Sequence, residues 1–131
     1  MSRYTLSTTV ALPYDNAVAA VRAALADQGF GVLTEIDIAA TLKTKLDVDL
    51  PRQVILGACR PPLAYAAIQA DPSVATMLPC NVVVRSVDED ACLVEAFDPA
   101  VMMRLTPGLE EVAADAGRRL TAALTALTEE H

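Results

Sequence analysis

Three cysteines, Cys59, Cys80 and Cys92, are the side chains in this sequence best suited to covalent chemistry. A thiol attacks as thiolate, and a helix N-terminus or a neighbouring cation favours that form. Cys59 has both in prospect. It closes the apolar run QVILGAC and precedes Arg60-Pro61-Pro62, where proline marks the first turn of a helix. Cys80 follows Pro79 and opens CNVVV, and the amide of Asn81 beside it is able to orient a ligand or to satisfy a turn. If Cys59 and Cys80 share one end of a sheet, they form a pair for disulfide exchange or sulfur handling, or flank a ligand. The plainer reading of a free cysteine is a small buried hydrophobe, and it suits Cys92 best.

A second cluster is Thr34, Glu35, Asp37, Thr41, Lys43 and Lys45. Glu35 and Asp37 are two apart on an extended segment, so they point to the same side. Paired carboxylates with Lys43 nearby suit a small polar ligand or acid–base work. The alternative is a solvated strand end, with Asp37 capping the helix that follows. Asp98-Pro99 reads as a plain helix or turn start, and Met77, Met102 and Met103 as soft apolar lining.

Absences narrow the chemistry further. The one histidine is His131, the last residue, so no Ser-His-Asp triad, Cys-His pair or histidine metal cage is expected within one chain. Cys59 and Cys80 belong to no C-x₂-C pair, so no metal is expected, and no cofactor is indicated. Whether any reaction is catalysed is left open. There is no tryptophan, with three tyrosines and two phenylalanines, and the net charge is −7. Nucleic acid and anionic membrane are therefore not expected as partners. No apolar run approaches the ~18 residues of a membrane span, and MSRYTLSTTV is not a secretory leader. An odd cysteine count without paired spacing fits a reducing, cytoplasmic setting.

With 131 residues, 53% of them hydrophobic, the chain has the material for one core and hence a single domain over 1–131. The elements that must position the candidates follow from periodicity. RYTLSTTVA (3–11) reads as a strand closed by Pro13. Val18, Val21 and Leu25 mark a helix from Tyr14 to Gln28, with Gly29 as its stop. Phe30–Ile36 is a second strand, followed by a short helix and a turn ending at Pro51. Gln53–Cys59 is a third strand, apolar enough for burial on both faces. A helix from Arg60-Pro61-Pro62 runs to about Ala70, and Asp71-Pro72 starts a turn through Leu78. Asn81–Val87 and Cys92–Phe97 form a hairpin across Asp88–Ala91. Thr106-Pro107 caps a long helix, about 107–128, whose stripe is Leu109, Val112, Ala116, Leu120, Ala123 and Leu127. The order β-α-β-(α)-β-(α)-β-β-α implies an α+β fold, a mainly antiparallel sheet with helices packed on one face.

Four segments, GFGVLTEIDIAATLKTKL (29–46), LGACRPPLAYAAIQADP (56–72), LPCNVVV (78–84) and FDPAVMM (97–103), resemble the bacterial and archaeal domain of unknown function 302 family. The resemblance runs in order from about residue 3 to 125. It implies a TATA-box-binding-protein-like α+β fold and a dimer, and no particular activity. Arg60 departs from the asparagine common in the family after this cysteine, which sets a cation beside the thiol.

The leading expectation is a small cytoplasmic homodimeric ligand-binding domain with a pocket near Cys59, Cys80 and Asn81. A thiol-based redox or sulfur-handling protein using Cys59 and Cys80 is the alternative, and a structural interaction subunit the third reading.

Overall fold

The computed structural model describes residues 4–129, so His131 lies outside the described residues. Five strands form one antiparallel sheet in the order β1-β5-β4-β3-β2, with β1 (Thr5–Val10), β2 (Gly31–Asp37), β3 (Gln53–Cys59), β4 (Cys80–Asp88) and β5 (Ala91–Phe97). The edges are thus β1 and β2. Helices α1 (Tyr14–Asp27) and α5 (Glu110–Glu129) pack against each other, and residues of both join the sheet's buried core. That core takes alternate strand positions, Val10, Val54, Leu56, Ala58, Val82, Val84, Cys92, Val94 and Ala96, with Val21, Leu25, Leu120 and Leu124 from the helices. Period-two burial on β4 and β5 against a helical stripe on α5 is the α+β arrangement expected from the sequence.

A second, smaller cluster lies beside this core. Ala67 of α3 (Pro61–Ala70), Val74 of a 3₁₀ segment (Pro72–Met77), Met102 of α4 (Ala100–Leu105) and Leu109 are buried together. Met77, Leu78 and Phe97 pack on its flank. Asp71 ties the pieces: one carboxylate oxygen accepts from Ser73 N, and the other accepts from Thr106 Oγ1 at 3.0 Å. The Leu78–Pro79 peptide is cis and leads into β4.

Several boundaries differ from the sequence reading, each for a physical reason. The last helix starts at Glu110 and not at Thr106-Pro107, because Gly108 adopts φ +92° and Thr106 spends its hydroxyl on Asp71. Residues 100–105 form a helix of their own, capped by Asp98, whose Oδ1 accepts from Ala100 N. Strand β3 is fully buried on one face only. Gln53, Ile55 and Cys59 on its other face stay partly exposed. The β4–β5 turn is tighter than the four residues expected.

Candidate functional site

The face of the sheet opposite α1 and α5 sets the chemistry. Strand register lays Thr5, Phe97, Asn81, Gly57 and Thr34 in one row across it, and Ser7, Glu95, Val83, Ile55 and Ile36 in the next. The row with Glu95 is linked to its neighbours by a polar ladder. Thr5 Oγ1 donates to Glu95 Oε2 at 3.2 Å, Arg85 Nη2 donates to Glu95 Oε1 at 2.7 Å, and Arg85 Nη1 donates to Gln53 Oε1 at 3.0 Å. Four strands are joined by side chains that register brings within reach.

At the end of this face the 3₁₀ segment and the cis-proline loop overhang the sheet and enclose a cleft of about 430 Å³. Its walls include Met77, Leu78, Pro79, Val83 and Phe97, and its polar groups include Thr5, Asn81 and Glu95. The overhang is fixed by Gly57. A Cβ there would collide with Thr34 Oγ1 and lie 2.8 Å from Pro79 Cγ, so only glycine lets Thr34 and Pro79 close over β3. Asn81 is exposed, and its side-chain amide makes no hydrogen bond among the described residues. The apolar wall is the outer flank of the second cluster, which makes the cleft part of the folded core and not a loop accident.

Of the residues singled out in the sequence, Asn81 lines the cleft, and Cys59 and Cys80 do not. The two cysteines sit on adjacent strands, Cys80 opposite Ala58 and Cys59 one residue on. Alternation turns Cys80 to the core side with Ala58 and Cys59 to the side of Gly57, an orientation that opposes a disulfide without backbone movement. Burial pushes the Cys80 thiol above its ordinary pKa, and Cys59 adds to the shift. The expected helix-mouth stabilisation of Cys59 is also missing its donors. Pro61 and Pro62 have no N–H, and the N–H groups of Leu63 and Ala64 both donate to Arg60 O. Arg60 instead folds over Gly29, with a buried Nε that has no hydrogen-bond partner. Cys92 is fully buried, its thiol pKa raised by burial and by Asp88, and its Sγ–H donates to Leu12 O at 3.6 Å.

Of the polar cluster, Glu35 and Asp37 share one side, as their spacing predicts, and Lys43 stands apart from them. Glu35 and Asp37 face a groove beside α1, where Glu35 pairs with Arg22, and Arg52 pairs with Asp15 at 3.0 Å and lies over the Tyr14 ring. Asp37 Oδ1 accepts from Ala40 N and caps α2 (Ile38–Leu46). Lys43 reaches Asp47 at 3.0 Å and Asp49 at 3.1 Å, in contact with neither Glu35 nor Asp37. No group of three or more His, Cys, Asp or Glu among the described residues is placed to hold a metal ion. No described helix is long and apolar enough to cross a membrane.

Sequence reasoning missed Glu95, Arg85, Thr5 and Phe97. The signal was present in the hairpin, where folding β4 onto β5 puts Arg85 diagonally across from Glu95.

An antiparallel α+β domain with one helix-covered sheet face and a cleft on the other is the class that fold and site define. The family model for the domain of unknown function DUF302 matches residues 6–127, and the chain belongs to that family. It is similar to the crystal structure of an uncharacterized conserved DUF302 protein from Bacillus stearothermophilus, with a TM-score of 0.85 and 26% identity over 95% of this chain and 98% of that one. None of the curated proteins compared matches the chain.

Proposed function

We propose that this protein is a small-molecule-binding domain whose site is the cleft between the 3₁₀ segment, the cis-proline loop and the open sheet face. The observation that carries this reading is Asn81, an amide without a partner among the described residues, in a concave site with an apolar wall and an ion pair already closed on itself. Pockets that hold small ligands have this make-up, mostly apolar with a few convergent polar groups. The cleft geometry favours binding over thiol exchange, because Cys59 and Cys80 alternate to opposite faces and burial holds the Cys80 thiol protonated. Free thiols suit a reducing compartment, so a cytoplasmic setting is part of the reading.

The reading includes a homodimer. Edge strand β2 and the segment after it expose Leu33, Ile36, Leu46, Val48 and Leu50, an apolar concentration that a second copy would cover. Sedimentation at tens of micromolar should give a dimer, and a monomer there removes this part. Native mass spectrometry of protein isolated from its own host tests the ligand: a bound mass lost on denaturation is expected. A bare chain under every gentle condition contradicts it.

A further inference from the structure

The cleft also restricts the charge of what it holds. This step rests on the cleft being the binding site. Among the described residues Glu95 is its one charged lining residue, and each carboxylate oxygen accepts a hydrogen bond, Oε1 from Arg85 and Oε2 from Thr5. The Arg85 guanidinium itself is committed to Glu95 and to Gln53 and does not line the cleft. An anion would therefore meet a carboxylate and, among the described lining residues, no cation. A cation would meet a carboxylate whose charge is already cancelled. Either ion would lose hydration without gaining a counter-charge, which is costly.

Of the polar lining groups, Asn81 alone presents an amide, one N–H donor set and one carbonyl acceptor side by side. One residue beyond the Val82–Ala96 pair, Phe97 stands next to Asn81 on the same face, so an aromatic side chain adjoins the amide. Two groups of complementary direction plus an adjoining aromatic side chain match a planar ligand carrying its own amide-type donor and acceptor. Met77 and Leu78 supply a deformable apolar wall against its other side.

We infer that the cleft is selective for uncharged aromatic or heterocyclic compounds bearing an amide or equivalent donor–acceptor edge, paired with Asn81 and set against Phe97. Selectivity arises from the closed Arg85–Glu95 pair, which withholds charge from ligands of either sign.

Three probes of similar size and different charge test this: benzamide, benzoate and benzylammonium. Each is titrated into ¹⁵N-labelled protein while the Asn81 side-chain amide and the Phe97 backbone amide are followed by NMR. Benzamide should shift both signals, and the two ions should need about tenfold higher concentration for the same shift. In the Asn81→Ala variant the advantage of benzamide should shrink, with Phe97 still reporting residual ring contact. Equal or tighter binding of benzoate or benzylammonium at these residues overturns the charge selectivity and leaves the cleft as a binding site. No shift at either residue with any probe overturns the cleft reading itself.

Discussion

Arg85 on β4 donates to Glu95 on β5 at 2.7 Å across the open sheet face, and the same guanidinium reaches Gln53 on β3. The pair is only partly exposed, with side chains at 36% and 24%. It spans the centre of the sheet and keeps a carboxylate at the cleft from acting as a free charge. Replacing Arg85 by Met should cost less than about 1 kcal/mol of stability, as for other solvent-accessible pairs. Its effect on charge preference should be larger: benzylammonium should bind the variant more tightly than the parent, and benzoate less. Unchanged charge preference with the pair removed would separate Glu95 from recognition.

Gly57 is the second lever on the cleft. In Gly57→Ala the new methyl meets Thr34 and Pro79, so the overhang must lift or β2 must shift. A loss of about 1–3 kcal/mol is expected from such overpacking. Chemical denaturation measures it, and Thr34→Ala in the same chain should recover part, because it removes one of the two clashing partners. No loss in the single variant would mean that the overhang is loosely held.

Leu120 is 1% exposed and sits where α5 meets α1 and the sheet. Leu120→Ala should cost on the order of 2–5 kcal/mol by loss of transfer energy and by the cavity left behind. Thermal and urea unfolding check this. A loss under ~0.5 kcal/mol is incompatible with that burial.

The thiols give a pH dependence. The folded-state pKa of Cys80 is raised, chiefly by burial and then by Cys59, and that of Cys92 chiefly by burial and then by Asp88. A raised folded pKa means that the unfolded chain releases the proton first. Stability is therefore complete below the ordinary thiol pKa of ~8.5 and falls as pH rises through the alkaline range. Denaturation between neutral and alkaline pH should show a shallower decline for Cys80→Ala than for the parent. Parallel declines would deny Cys80 a part. An alkylating reagent at neutral pH should reach half-buried Cys59 before fully buried Cys92, as peptide mapping would show.

Much of the fold was legible because its signals are local. Pro61 at the first turn of α3, Gly29 at φ +84° after α1 and the alternation of β4 and β5 each act over a few residues. The start of α5 was misread because Thr106 bonds to Asp71, 35 residues away, a partner that no local pattern reveals. The site was legible only in part for the same reason. Asn81 stood out beside Cys80, whereas Glu95 acquires its role from Thr5, Arg85 and the overhang, three segments that meet only through the sheet order. The relative placement of the two cysteines turns on a count of one. A step of a single residue in register carries Cys59 to the other face from Cys80.

The most direct test of the cleft is to fill it. Asn81 is exposed, so Asn81→Trp should leave the fold and melting temperature nearly unchanged while its indole occupies the space between Pro79 and Phe97. Parent and variant would be isolated from the native host and compared by native mass spectrometry, with Ser7→Trp, an exposed position on the same sheet face outside the cleft lining, as control. A bound mass present in the parent and the Ser7 variant and absent from Asn81→Trp is the expected result. Retention of the same bound mass by Asn81→Trp would contradict the cleft as the binding site.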